Sequence, residues 1–418
     1  MRIGQQSIST ERLYLTELIT GPRQRPERVE ALYRHLREAF FYVMLTIELV
    51  TMIVEKSDMP MPQESYIFRL TFALAAGVVL LSRYSRTGWL AGGGILCFTL
   101  VCYLLTGNND LLRYAMFFLA CREMDMRWAL RYSFCVTAAG FLTIGILSVT
   151  GIYGTFSITA DYGREVGVET RTVLGFGHPN TLHGAYYALL LFFLYMYESS
   201  QRERNHYQDA IVYGLAFLSN ILLYQLTDSR TATALGCVTI LVMILLSVER
   251  WLRVRRFAYY FGILVLMGCI GLSVWSAAVS ELTNTVGGIY RRISDILNGR
   301  VLILYYDSKA HKGSLGTWTL FGIGADHDYF FDMGWVRLFY WYGIIPALLI
   351  VAFVVYLIIL SHKQGNYAAL VVFVSMSLYT VIEAAFVSRY IGRLFPLLIA
   401  ARLVYHQAEM QQRTERVP

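Results

Sequence analysis

Charged residues are scarce in this chain. Asp, Glu, Lys and Arg make up 16% of its 418 residues, whereas hydrophobic residues make up 56%. Soluble globular proteins carry about 25% charged residues, so the composition excludes an ordinary soluble domain. There are only 8 prolines, so few positions would break a helix from within. Apolar runs of about 17 residues or more recur along the whole length, which is typical of helices that span a bilayer.

Paired cysteines and metal-binding spacings are also missing. None of the six cysteines has a partner at metal-site spacing, and all fall inside apolar runs. We therefore expect neither a structural disulfide nor a bound metal. Residues 1–38 are polar and arginine-rich and lack an early apolar core, so we expect no signal peptide. The net charge of +7 lies mostly in short loops and tails, where membrane topology accounts for it without a nucleic-acid partner.

The apolar segments number eleven or twelve, because the fourth and the last are short and interrupted by arginines. We predict an all-α, polytopic helical membrane protein with about 11–12 transmembrane helices. A single transmembrane domain would cover 39–405, between tails at 1–38 and 406–418. The segments lie near 39–55, 66–82, 89–106, 109–121, 129–149, 181–198, 209–226, 230–247, 257–278, 333–360, 366–386 and 389–405.

The arginines of the tails and of alternate loops fall on one side of such a topology. By the positive-inside rule this side is cytoplasmic, so both termini are expected inside. The opposite side receives two long segments, near 150–180 and 279–332. Cations that are kept there against the insertion bias favour an anionic ligand at the outer face. These cations are Arg164, Arg171, Arg291, Arg292 and Arg300.

The first external segment ends in a dense polar motif, RTVLGFGHPNTLHG at 171–184. Its glycines and proline predict a bend, and Asn180 can cap the helix that follows. Free N–H groups at a helix start can bind phosphate. Arg171, His178 and His183 would then line a polar site. The alternative is that these residues only cap and orient a span.

A second motif, LTDSRTAT at 226–233, places Arg230 at a very short turn between two spans. Arg230 either extends to water from a capped turn or points into the same external cavity.

A third group precedes the span near 333–360. His327, Asp328 and Asp332 gather there, and aspartates at such positions are commonly helix N-caps. Four titratable groups between 326 and 332 exceed what capping needs. The run LFYWYG at 338–343 is interpreted as ordinary helix surface.

Two further charges, Glu383 and Arg389, lie near the outer ends of the last two predicted spans. A charge at the bilayer centre costs about 2.5–3.5 kcal/mol on the insertion scale. Internal pairing is therefore the simplest explanation for both residues, and a place beside the external cavity is the alternative.

The order of these motifs resembles the Wzy-type polysaccharide polymerases of the O-antigen ligase/polymerase superfamily. The resemblance rests on R-x-x-x-G-F-G-H-P-N at 171–180, S-R at 229–230, G-R at 299–300, L-F-G-I-G at 320–324 and D-x-G-x-V-x-L-x-x-x-x-G at 332–343. In the related ligases a His-Asn pair stands where Asp332 and Met333 stand here, which favours a polymerase over a ligase.

The resemblance implies a GT-C-like membrane glycosyltransferase with a large extracytoplasmic loop, in the bacterial cytoplasmic membrane. It would move a growing glycan (capsule, exopolysaccharide or O-antigen) from undecaprenyl diphosphate to the terminal sugar of a new lipid-linked unit. The implied partners are the undecaprenyl-diphosphate-linked oligosaccharide, membrane lipid, a flippase and a chain-length regulator. No cofactor and no metal are implied.

Residue chemistry gives each candidate a role. Without a metal, arginines must stabilise the leaving diphosphate; the candidates are Arg171, Arg230, Arg291, Arg292 and Arg300. The acceptor hydroxyl needs a proton acceptor, for which the candidates are Asp332, His178 and His327. Other residues that could border the cavity are Asn180, His183, Asp328, Glu383 and Arg389.

Two other functions stay open. A ligase of the same superfamily would transfer a finished glycan to another acceptor. A transporter of lipid-linked sugar or of an organic anion would need a polar path at the membrane midplane.

Overall fold

The computed structural model describes residues 27–61, 63–161, 167–200, 205–247, 252–297, 299–306, 313–327, 331–384 and 387–415. Most of these residues are helical. In chain order the helices are α1 (Glu27–Glu55), α2 (Glu64–Leu81), α3 (Arg86–Thr106), α4 (Asp110–Ala120), α5 (Met126–Val149), α6 (Pro179–Glu198), α7 (His206–Thr227), α8 (Arg230–Ser247), α9 (Leu252–Thr285), α10 (Ile289–Ile296), α11 (Arg300–Tyr306), α12 (Gly334–Tyr342), α13 (Ile344–Lys363), α14 (Tyr367–Ile382) and α15 (Leu394–Glu415).

Seven of the described helices are long and apolar enough to cross a membrane. They are α2, α3, α5, α7, α8, the Arg256–Thr285 part of α9, and α13. Between 17% and 44% of the residues in these apolar stretches are buried inside the protein. Two apolar helical stretches, α14 and Leu394–Val404, are shorter. The structure is therefore consistent with an all-α polytopic membrane protein, and a count beyond seven spans stays a prediction.

One departure from the all-α prediction lies in the 150–180 segment. Strands β1 (Ser157–Asp161) and β2 (Val168–Thr172) form an antiparallel hairpin in which Ile158 pairs with Arg171. Thr, Val and Ile make up half of these strands, and such β-branched residues favour extended backbone. The pattern is only five residues long in each strand, too short to stand out beside long apolar helices.

The chain divides into two compact units. One comprises Met1–Met52, Met61–Ser133 and Tyr390–Pro418, and the other comprises Ile53–Pro60 and Phe134–Arg389. We call them the first and the second unit. In the first unit, the buried Glu48 and Arg113 form an ion pair of 2.9 Å, and the guanidinium of Arg113 lies 3.8 Å from the ring centre of Phe68. The described candidate site residues all belong to the second unit.

The apolar segment predicted near 333–360 consists of two helices, α12 and α13, separated by Gly343. The backbone of Gly343 has φ = +88°, a conformation that favours glycine. A Cβ at this position would lie 2.3 Å from the backbone nitrogen of Gly322. The last glycine of the D-x-G motif therefore packs directly against the first glycine of L-F-G-I-G.

Candidate functional site

Arg171 is held at the end of the β hairpin. Its Nη2 atom lies 2.6 Å from Oε2 of Glu169 and 3.3 Å from Oδ2 of Asp228, and only 6% of its side chain is exposed. Asp228 ends α7 in the left-handed region, with φ = +48°. The turn between α7 and α8 thus holds the guanidinium of Arg171 in place.

The G-F-G-H-P-N loop owes its shape to its glycines and to an aspartate from a distant part of the sequence. Gly175 and Gly177 both have positive φ, and a Cβ on Gly177 would lie 3.0 Å from Oδ1 of Asp58. The backbone N–H of Asp58 donates to the carbonyl of Gly175 at 2.9 Å. Its carboxylate accepts from the N–H of Thr155 at 2.8 Å. Asp58 therefore positions this loop, a role that its surrounding sequence does not signal.

His178 caps helix α6. Its Nδ1 atom accepts a hydrogen bond of 3.1 Å from the backbone N–H of Asn180, so a neutral imidazole carries its proton on Nε2. Although the residue reaches solvent, partial burial lowers its pKa below 6.5. Asp332 opposes this shift, and the positive charges of Arg171 and Arg300 add to it. His178 is therefore within electrostatic reach of both arginines and of Asp332.

Arg300 is the centre of the site. It opens α11 directly after Gly299, whose φ is +76°, and 8% of its side chain is exposed. Its Nε atom donates to the carbonyl of Ile382 at 2.6 Å. Its Nη2 atom lies 2.7 Å from Oε1 of Glu383 and 3.4 Å from Oδ2 of Asp332. One guanidinium thus joins the G-R motif, the D-x-G motif and the end of α14.

The two carboxylates on Arg300 have different surroundings. Asp332 is 55% exposed, whereas Glu383 is 22% exposed. Burial raises the pKa of Glu383 to about 7; Arg300 opposes the shift, and the nearby Asp332 charge adds to it. A Cβ at Gly334 would lie 3.0 Å from the carbonyl oxygen of Glu383. The motif glycine therefore lets the start of α12 approach the end of α14.

A third arginine of this site, Arg337, was not among the sequence candidates. It is buried, its Nη2 atom donates to the carbonyl of Phe331 at 2.5 Å, and its charge lowers the pKa of Glu383. The interpretation of 338–343 as ordinary helix surface was wrong, since all nine residues of α12 are buried. A lone arginine within such an apolar helix was the available signal.

His327 and Arg389 form a second group around Trp341. Nη2 of Arg389 donates to the carbonyl of His327 at 2.7 Å. The ring of His327 lies 5.5 Å from that of Trp341, and the guanidinium of Arg389 lies 5.9 Å from the same ring. Arg337 approaches this ring as well, at 5.0 Å. Asp328 lies outside the described residues.

His183 lies in a polar network inside the second unit and is completely buried. Its Nδ1 atom is 2.9 Å from the hydroxyl of Thr227, and its Nε2 atom is 3.2 Å from Oδ1 of Asn220. The amide nitrogen of Asn220 donates to the carbonyl of Thr233 at 3.0 Å. These contacts connect α6, α7 and α8, so His183 acts by positioning helices.

The remaining candidates lie at the surface. Arg230 opens α8 and is exposed. Arg291 and Arg292 are exposed on α10, where Arg291 lies 3.6 Å from Asp295. Among the described residues, Arg300 contacts Asp332 and Glu383 directly, and His178 lies within electrostatic reach of Arg171, Arg300 and Asp332. We call these five residues the Arg300 cluster.

Within the described ranges, no three His, Cys, Asp or Glu side chains are arranged to hold a metal ion. The chain matches no protein-family model, and no curated protein or solved structure is detectably similar to it. The chemistry of the site must therefore be argued from its own residues.

Proposed function

We propose that the protein is a membrane glycosyltransferase that polymerises lipid-linked oligosaccharide units at the outer face of the bacterial cytoplasmic membrane. In this reaction the bond between the anomeric carbon of the growing glycan and the diphosphate oxygen breaks, and undecaprenyl diphosphate leaves with the electron pair. The terminal sugar hydroxyl of the next lipid-linked unit forms the new glycosidic bond. Its proton passes to a carboxylate of the protein.

The observation that carries the proposal is the Arg300 cluster. It comprises two nearly buried arginines, an exposed aspartate, a histidine and a partly buried glutamate, which come from the 171–180, G-R and D-x-G motifs and from the end of α14. The seven apolar helices that could cross a membrane supply the setting in which a lipid-linked substrate is available.

The arginines suit a diphosphate leaving group. Guanidinium groups bind phosphate oxygens in a bidentate way, and preplaced cations in a poorly hydrated site stabilise charge that develops in the transition state. Glu383 and the Ile382 carbonyl hold Arg300 on one side, whereas Asp332 makes the longer contact of 3.4 Å. A ligand phosphate can therefore displace Asp332 from Arg300 without releasing the arginine.

Charge balance at Arg300 depends on Glu383. When Glu383 is protonated, it no longer compensates the positive charge of Arg300, and the site attracts an anion more strongly. Because burial raises the pKa of Glu383, its protonated form persists to a higher pH than that of an ordinary carboxyl group. Glu383 is thus a positioning residue whose proton sets the field at Arg300.

Asp332 is the best placed proton acceptor. Its carboxylate is exposed, so an acceptor sugar can reach it, and it stands next to the arginine assigned to the leaving group. The Nδ1 atom of His178 already accepts a hydrogen bond, so its Nε2–H is suited to donate to a substrate oxygen. General-base assistance is worth about 10²–10⁴ in rate, which sets the expected loss without Asp332.

The test is the glycan chain-length profile of the producing bacterium carrying Arg171→Ala, Arg300→Ala or Asp332→Asn. Each variant should accumulate single repeat units and lose long chains, because loss of one charge-stabilising arginine costs about 2.7–4 kcal/mol at the transition state, and loss of the general base costs about 10²–10⁴ in rate. Arg127→Ala and Asp295→Asn are matched controls, since both residues are exposed and lie outside the cluster; they should give wild-type profiles.

Two outcomes would contradict the proposal. Wild-type chain lengths in all three variants would show that the cluster takes no part in the reaction. Full-length polymer that stays on its lipid carrier would identify a ligase instead.

A further inference from the structure

Helix α10 (Ile289–Ile296) carries an apolar face that is largely exposed in the part of the chain that the structure describes. Ile289, Ile293 and Ile296 recur at helical spacing and form one side of the helix. Ile289 is 67% exposed and Ile296 is 79% exposed, and Ile293 is half-buried. A contiguous exposed apolar patch, unlike a single exposed side chain, marks a contact with something outside the chain.

The other sides of α10 are polar and are already in use. Ser294 is buried, and its Oγ atom accepts a hydrogen bond of 3.0 Å from the backbone N–H of Leu302. Arg291 and Asp295 pair along an exposed side. The side that faces the protein is therefore the serine side, and the isoleucine side faces away.

The position of α10 in the chain indicates what covers its isoleucines. It follows α9, whose Arg256–Thr285 part could cross a membrane, after a break at Gly287 and Gly288, both with positive φ. Leu282 in the last turn of α9, Val286 just beyond it and Ile289 at the start of α10 are exposed apolar residues. Exposed apolar side chains are therefore present on both sides of the break, at the end of the candidate span and on α10.

We propose that α10 is an in-plane membrane anchor. Its Ile289, Ile293 and Ile296 side lies in the interface of the bilayer, at the end of the span that precedes it. Amphipathic helices with arginines beside an apolar face bind this way, with the apolar side chains buried about 5–10 Å below the headgroups. Arg292, one turn before Ile296 on the flank of the face, is placed to contact headgroup phosphates.

The anchor has a consequence for the candidate site. The carbonyl of Ser294 accepts from the N–H of Gly299 at 2.7 Å, and its hydroxyl holds Leu302, so both ends of the turn that carries Arg300 are tied to α10. A fixed depth of α10 therefore fixes the depth of Arg300 relative to the bilayer surface. Only the relevance of the depth of Arg300 rests on the proposed function; the binding of α10 to the membrane does not.

The test is the accessibility of nitroxide labels on the full-length protein in phosphatidylcholine–phosphatidylglycerol vesicles. The native cysteines are replaced, and single labels are attached to Ile289→Cys, Ile296→Cys or, as a control on the same helix, Asp295→Cys. The ratio of collision with oxygen, which enters the bilayer, to collision with a water-soluble nickel chelate should be several-fold higher at 289 and 296 than at 295.

Two results would overturn the anchor. Equal nickel accessibility at all three positions would place the isoleucine side in water. Shielding of 289 and 296 from both reagents would mean that protein, such as a second copy of this chain, covers them.

If the cysteine-replaced protein does not fold, Ile296→Trp and Asp295→Trp in the native background distinguish the same alternatives. Brominated lipids should then quench the added fluorescence only in the Ile296 variant.

Discussion

At the scale of single residues, the proton on Glu383 decides how much of the positive charge of Arg300 is available to a ligand. The carboxyl group is held 2.7 Å from the guanidinium, yet burial raises its pKa to about 7. The cost of burying the charge therefore outweighs the favourable ion pair with Arg300.

This balance predicts a pH-dependent stability. The folded pKa of Glu383 lies above its ordinary value of 4.5, so the native state binds the proton more tightly than the unfolded state. The resulting stabilisation is complete below about pH 4.5 and is lost as the pH rises through about 7, on the order of 3 kcal/mol in total. The apparent melting temperature of the purified protein should therefore fall across this window, and less steeply in Glu383→Gln.

Glu281→Gln is the matched control, because Glu281 is an exposed glutamate. Its apparent melting temperature should fall with pH as steeply as that of the wild type. Identical slopes for wild type and Glu383→Gln would show that Glu383 does not titrate in this range.

A second residue-scale prediction concerns His178. Asparagine can accept from the Asn180 N–H and still donate a hydrogen bond, so His178→Asn should keep most of the polymerising activity. His178→Ala loses both functions, including a helix cap worth about 1 kcal/mol, and should be much slower. The initial rate of glycan elongation distinguishes the two. Equal inactivity of both variants would instead assign proton transfer to the imidazole.

The sequence motifs predicted some residues of the site and missed others. Motif order named Arg171, His178, Arg300 and Asp332, which share the cluster. It did not find Asp58, because the aspartate acts on a loop that follows it by more than a hundred residues. Glu383 was named only as a possible neighbour, since the approach of α14 to α12 depends on packing at Gly334.

At the scale of secondary-structure elements, the position of α6 depends on a buried polar network rather than on apolar packing alone. His183 reaches Thr227 of α7 directly and α8 through Asn220. Fully satisfied polar groups of this kind fix one arrangement of helices, and a half-satisfied network is costly.

His183→Ala should therefore destabilise the protein by roughly 2–5 kcal/mol, since it leaves a cavity and removes partners from Thr227 and Asn220. The expected observation is a clear drop of the apparent melting temperature in detergent. His206→Ala, at an exposed position that opens α7, should change it little. A wild-type melting temperature in His183→Ala would show that the network does not stabilise the protein.

Element bounds were predicted well where apolar runs are long. The segment predicted near 230–247 corresponds to α8, and that near 209–226 corresponds to α7. The β hairpin was missed because its strands are short and partly polar. The break at Gly343 was missed because its cause, contact with Gly322, lies outside the run itself.

At the scale of the whole molecule, two compact units are formed from interleaved parts of the chain, and seven described helices could cross a membrane. Such a division cannot be read from apolar runs, which look alike in both units. The placement of both termini in the cytoplasm stays a prediction from the distribution of arginines.

The most direct test of the central claim uses the purified protein in vesicles with a synthetic undecaprenyl-diphosphate oligosaccharide as the sole substrate. The proposed reaction predicts longer lipid-linked glycans and one undecaprenyl diphosphate released for each linkage formed, with both signals lost in Arg300→Ala and Asp332→Asn. Transfer of the lipid across the vesicle membrane without any elongation by the wild-type protein would contradict it.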